Sequence, residues 1–391
     1  MLMGTEEAMR ITNLTTHVVH DGYRNLIFVQ LQTDNGLTGL GEATLVNRTE
    51  AVVGYLLGHA QPAVIGQDPD ESGAIWRDLY LGGFIRGGMI ACAGLSAVAQ
   101  ALLDLRGKAL GVPAWQLLGG AVHDRVPVYA NAWYTVEREP SAIAERAGLV
   151  LAKGYRALKI DPFGPGSYEL TAEEERRSLA ILGAVRDAVG PDVEVYVEGH
   201  GRFATAQAIR IARALGEIRA GWFEEPTSWD DPMAWLEVRR QSPVPIAGGE
   251  HYSTRHGFRQ IIDERCVDIV QPDVCYAGGP LEVTHIAAAA DAHSIVVALH
   301  DSQGPVSTAA SLHTAVTIPN LKTVEYFDDF SAPFLRDAVR GAPLARDGWL
   351  ERPTAPGLGV ELDLDVIAEH PYQPFKFDLF SEGWERRFEH R

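Results

Sequence analysis

Eight short runs rich in β-branched and aromatic residues recur beyond residue 125, separated by helical stretches rich in Ala, Arg and Glu. They fall at 126–130, 157–160, 193–197, 221–223, 244–247, 267–270, 295–299 and 323–324. Strands spaced about 25–40 residues apart with helices between them fit a parallel (β/α)-barrel better than an open doubly wound sheet, which usually has fewer strands. No G-x-G-x-x-G motif supports the dinucleotide-binding alternative.

The chain has 391 residues, more than one hydrophobic core usually serves, so a second unit is expected. Residues 10–43 alternate apolar and polar around the turn signal Asp34-Asn35-Gly36, which predicts an antiparallel meander. Residues 90–108 switch to helical spacing, with Leu95, Val98, Ala99, Leu102, Leu103 and Leu105 on or near one face. The expected organisation is an α+β capping domain over 1–125 and a barrel over 126–341. A segment over 342–391, rich in Pro and aromatics, is expected to pack back on the cap.

Composition excludes several function classes. With 34 basic and 52 acidic residues the formal charge is −18, which disfavours nucleic acid and anionic lipid as partners. The first residues lack the pattern of a secretory signal, and no apolar run approaches the ~20 residues of a membrane span, so a cytoplasmic location is expected. Cys92, Cys266 and Cys275 have neither CxxC spacing nor an even count, so they read as buried apolar side chains, and any metal must be held by oxygen.

One ionisable residue follows most of the barrel runs: Lys159, then Glu198 with His200, Glu224, Glu250, Asp273, His300 and Glu325. From Glu198 onward these residues, His200 aside, recur every 23–27 positions, about one βα unit. Strand C-termini of a barrel converge on one mouth, so an even spacing in sequence becomes a ring in space. Three carboxylates, Glu198, Glu224 and Glu250, cannot all stay ionised in a small cavity without a counter-cation; a hard divalent ion such as Mg²⁺ resolves that conflict. Asp273 on the strand before His300 can fix the tautomer of a general base, and His200 faces the same mouth by strand alternation.

These motifs resemble the enolase superfamily, in its mandelate racemase branch, and within that the acid-sugar dehydratases of the galactonate and gluconate dehydratase type. The resemblance runs through Gly39-Leu40-Gly41-Glu42-Ala43, Arg125-Val126-Pro127-Val128-Tyr129, Glu198-Gly199-His200-Gly201-Arg202 and Trp222-Phe223-Glu224-Glu225-Pro226. It continues in Gly248-Gly249-Glu250, Gln271-Pro272-Asp273 and Val324-Glu325-Tyr326. It implies a capping domain built from both chain ends on a modified barrel, one Mg²⁺ on Glu198, Glu224 and Glu250, and Glu225 behind the ligands. It also implies His300 with Asp273 as the proton-abstracting dyad, Glu325 against a substrate carboxylate oxygen, and His200 as general acid.

Two positions depart from the family pattern. The first ligand is commonly Asp, where Glu198 is one methylene longer. The Lys-x-Lys of the racemases reads Lys159-Ile160-Asp161, which removes a base from the opposite face and counts against simple racemisation. Lys159 keeps an electrostatic role. The implied reaction is dehydration of an aldonate or aldarate to a 2-keto-3-deoxy acid, with a cycloisomerase or epimerase using the same enolate as the alternative. By analogy the substrate contacts lie in the cap loops 17–24 and 80–88, at His20, Tyr23, Arg24 and Arg86, with Asp161 added from the barrel. A homo-oligomer from dimer to octamer is typical of this branch.

Overall fold

The computed structural model describes residues 9–381. β1 (Ile11–His20), β2 (Asn25–Thr33) and β3 (Thr38–Glu42) form an antiparallel meander whose second turn is the Asp34-Asn35-Gly36 segment. The helix Gly88–Leu110 lies across β3. Gly39 and Gly41 permit that contact, because a methyl group on either would overlap the backbone of Ala101 or Ala97. Two helix side chains reach back to the strand: Asp104 accepts from Leu40 N at 2.9 Å and Gln100 from Glu42 N at 3.0 Å.

That helix departs from the expected one-faced pattern. Ala99 and Leu103 are half-buried, while Ser96, Gln100 and Asp104 are buried with the apolar residues, so it is enclosed nearly all round. It is also the one helix among the described residues long and apolar enough to cross a membrane, contrary to the expectation that no run approached that length. Within the fold 72% of its apolar window is covered by protein.

The eight runs form the eight parallel strands of a closed barrel: β4 (Arg125–Ala130), β5 (Ala157–Ile160), β6 (Glu194–Glu198), β7 (Trp222–Glu224), β8 (Ile246–Gly248), β9 (Ile269–Val270), β10 (Val296–Leu299) and β11 (Leu321–Tyr326). Each pairs with the next in sequence, and β11 pairs with β4 to close the ring. Tyr129, Tyr196, Trp222, Ala247, Ile269 and Ala298 form one inward-facing layer, with the rings of Tyr196 and Trp222 stacked at 3.4 Å. Side chains alternate with period two, so the next inward residues on three of these strands are Glu198, Glu224 and His300, one layer nearer the mouth.

The chain then returns along the outside. Trp349–Glu351 pairs antiparallel with β4, and further on Pro371 bridges Val19 of β1, so the last described residues run along the cap. Cap and barrel meet at the segment following His300. Glu42 accepts from Gly304 N at 2.7 Å and Ser307 N at 2.9 Å, at the start of the helix Pro305–Ala315. Arg24 donates to the carbonyls of Ser302 and Gln303.

Candidate active site

The mouth of the barrel holds the ring of charge. Oxygens of Glu198, Glu224 and Glu250 lie within 4.8 Å of one another. Lys159, fully buried, puts Nζ 3.2 Å from Glu198, 2.5 Å from Glu224 and 3.2 Å from Glu325. Burial is the largest influence on the Glu224 carboxyl and pushes it up to about 8, with Glu198 adding and Lys159 opposing. Burial also raises Glu198 against the pull of Lys159. One ammonium is therefore too little charge for this set, and a further cation fits the donors present. Glu225, Glu250 and His251 form a second, overlapping group within the same 4.8 Å limit. Three carboxylates suit a hard divalent ion better than a set that includes imidazole.

His300 stands across the ring from Lys159. A bridge between the backbones of Asp273 and His300 sets the two side by side, and Nδ1 lies 2.6 Å from Asp273 Oδ2. Nε2 lies 3.3 Å from Glu250 and 3.5 Å from Glu325. Burial favours the neutral ring, but Glu250, Glu325 and Asp273 outweigh it and hold the imidazole well above its ordinary value. Tyr276 OH is 3.2 Å from Nδ1, and Gln303 Nε2 donates to Asp273 at 2.9 Å.

His200 occupies the side of Lys159 and Glu198. Its backbone is left-handed (φ +48°), its N–H donates to Glu198 Oε1 at 2.7 Å, and Nδ1 lies 2.7 Å from Asp161 Oδ2. Arg202 holds the same Asp161 oxygen. Burial would raise Asp161, but Arg202 and His200 bring its carboxyl below the ordinary value.

The expected substrate contacts differ in placement. Asp161 is buried behind His200, with its oxygens taken by His200, Arg202 and Phe163 N. Arg86 lies over the ring of Tyr80, 5.0 Å from its centroid, and His20 beside Phe375; neither lines the cavity above the ring. Tyr23 and Arg24 do line it, yet the Arg24 guanidinium is engaged by Asp21 and two backbone carbonyls.

Glu325 accepts from Asn131 Nδ2 at 2.6 Å and Asp301 N at 3.0 Å. Burial would raise it, but Lys159 and His300 bring it down to about 2.

The cavity measures about 680 Å³ and also exposes His251, Tyr276 and Gln303, none of which stood out in the sequence. His251 stacks on Trp229 at 3.6 Å and sits 3.2 Å from Glu225. Burial would lower its imidazole, but Glu225 above all raises it to about 9. Its signal was adjacency to Glu250; Tyr276 and Gln303 each lie three residues past a member of the dyad.

A capped eight-stranded barrel with a carboxylate trio and a buried His–Asp pair at its mouth is the arrangement of an enzyme active site. Residues 4–119 match the family model described as mandelate racemase / muconate lactonizing enzyme, N-terminal domain, and residues 142–366 the model described as enolase C-terminal domain-like. The chain belongs to the enolase superfamily, in its mandelate racemase and muconate lactonizing enzyme branch. It is 36% identical to a D-gluconate dehydratase of Thermoproteus tenax, over 91% of this chain and 72% of the relative. It is 34% identical to a D-galactonate dehydratase family member of Streptomyces bingchenggensis, over 90% and 91%. A solved mandelate racemase/muconate lactonizing enzyme from Jannaschia sp. CCS1 superposes with a TM-score of 0.87 at 32% identity, covering 94% of this chain and 99% of that one.

Proposed function

We propose that this enzyme dehydrates a sugar acid, an aldonate or aldarate, to a 2-keto-3-deoxy acid, with Mg²⁺ held by Glu198, Glu224 and Glu250. The observation that carries the reading is the pair of histidine–aspartate dyads at one mouth. Each Nδ1 is held by its carboxylate, His300 by Asp273 at 2.6 Å and His200 by Asp161 at 2.7 Å, so Nε2 is the ring nitrogen each offers to substrate, that of His300 beside Glu250 at 3.3 Å. Where a racemase needs a second base, this chain has Asp161 holding a histidine. One base and one acid suit elimination.

The bound cation would supply positive charge opposite the negative charge that develops on the substrate carboxylate. His300 Nε2 removes the proton at C2, and Asp273 stabilises the imidazolium. For this His300 must start neutral, and neutralising Glu250 removes one of the two carboxylates that hold a proton on Nε2. Lys159 keeps a fixed positive charge in the ring. His200 Nε2 gives its proton to the departing C3 hydroxyl, which leaves as water, and the resulting enol ketonises to the 2-keto-3-deoxy acid.

The test is turnover of a panel of four- to six-carbon sugar acids with Mg²⁺, trapping 2-keto acids with semicarbazide. His300→Asn should abolish both product and C2 proton exchange into D₂O. His200→Asn should keep exchange but lose product by roughly 10²–10⁴-fold. Exchange without any 2-keto acid in the wild type would turn the reading to a cycloisomerase or epimerase.

A further inference from the structure

The turn after β8 brings two consecutive side chains to the mouth, which strand alternation alone would not do. Gly249 takes φ +133°, Tyr252 N closes the turn onto Gly249 O at 3.0 Å, and both Glu250 and His251 line the cavity. His251 is then held from three sides. Its ring lies on Trp229 at 3.6 Å, and Trp229 is itself anchored by Tyr252 OH, which donates to its carbonyl at 2.5 Å. Nε2 lies 3.2 Å from Glu225 and 3.5 Å from Glu250. Glu225 is fully buried, and His251 is its only charged partner among the described residues. Nδ1 differs: it has no hydrogen-bond partner among the described residues, on a cavity-lining side chain that is 27% exposed. A ring fixed by an indole and a buried carboxylate, with one nitrogen left open, is preorganised for a ligand atom. His251 and His300 also flank one carboxylate, since His300 Nε2 lies 3.3 Å from the other oxygen of Glu250. A substrate whose acidic carbon faces His300 therefore has neighbouring substituents on the side of His251.

We propose that His251 binds a substrate hydroxyl through Nδ1 and so selects a polyhydroxylated acid. A hydroxyl both donates and accepts, so it pairs with this nitrogen whether or not Nδ1 carries hydrogen. The departing C3 hydroxyl belongs to His200, so the one held here is on C2 or beyond C3. This rests on the sugar-acid part of the proposed function and not on dehydration taking place.

The test is equilibrium binding by calorimetry at saturating Mg²⁺, in a His300→Asn background so that nothing turns over. The probes are D-gluconate, D-galactonate and their 2-, 4-, 5- and 6-deoxy forms. His251→Phe keeps a ring against Trp229 and removes both nitrogens, and Glu225→Gln alongside it avoids stranding a buried charge. Adding His251→Phe to Glu225→Gln should weaken the tighter-binding hexonate about tenfold, the loss of one hydrogen bond. One deoxy form should bind both variants equally, which identifies the hydroxyl that Nδ1 holds. Equal affinity of the hexonate for the two variants makes His251 a counter-ion of Glu225 only and overturns the assignment. So does a loss of the same size for the hexonate and for every deoxy form, or no binding of any probe while His251 is intact. Binding with no 2-keto acid formed by the wild type sinks the dehydratase reading alone.

Discussion

Replacing Glu42 should uncouple the cap from the catalytic mouth, and the size of the effect follows from its contacts. The carboxylate is fully buried and accepts from Thr44 Oγ1 at 2.6 Å, Gly304 N at 2.7 Å and Ser307 N at 2.9 Å. Gly304 has no side chain to cap the helix Pro305–Ala315, so a carboxylate from another domain takes that place, where the helix dipole favours negative charge. Glu42→Ala strands two backbone N–H groups at about 1–3 kcal/mol each and loses the dipole interaction, while relieving the burial that pushes the Glu42 carboxyl up. The net loss should be about 3 kcal/mol. Glu42→Gln keeps one acceptor and should lose about half of that. At roughly 2.1 cal/mol/K per residue over 391 residues, 3 kcal/mol corresponds to a fall in Tm of about 4 °C. Urea unfolding and thermal melts in excess EDTA measure this without a metal contribution. The loop ending in the helix cap begins at His300, so kcat at 25 °C should fall further than the Tm shift suggests. Glu42→Ala within about 0.5 kcal/mol of wild type, or less harmful than Glu42→Gln, would refute the reasoning.

Two further outcomes are expected. Burial, aided by Glu42 and opposed by Arg24, pushes the Asp328 carboxyl up to about 7. Its folded value lies above its unfolded one, so the stability it contributes is fully present below about pH 4 and is lost as pH rises through 7. Asp328→Asn should accordingly match wild type near pH 4 and exceed it by a few kcal/mol at pH 8 in urea titrations; a pH-independent difference would contradict this. Second, Mg²⁺ at about 100 times its Kd should stabilise the EDTA-stripped protein by about 2.7 kcal/mol, and Glu224→Gln should abolish most of that gain. An equal gain in both proteins would place the ion elsewhere.

The barrel was legible because its strands are short, bounded by turns and regularly spaced, and because period two ties each polar residue to the layer below it. Glu198, Glu224, Asp273, His300 and Glu325 could be found that way, since each closes or follows a strand. Asp161 entered only by analogy with the family: it lies just past the end of β5, and Arg202, four residues beyond Glu198, holds it behind His200. Arg86 and the cavity-lining segment 377–380 lay outside the rule altogether. Where a loop or an extended segment falls against a cavity depends on long-range contacts such as Asn47 to Phe377, 330 residues apart, which no local pattern encodes.

The junction formed by Arg24 and Glu42 has a consequence for how such enzymes can be recombined. Both cap residues reach the same short stretch, 302–307, just past the residue proposed to take the proton. A cap transplanted from a relative to change what is accepted would arrive with its own strand ends fitted to a different loop, and would tug on His300 as it docked. Chimeras should therefore exchange the cap together with 301–307 as one inheritance unit, although the two pieces are some 260 residues apart in the chain.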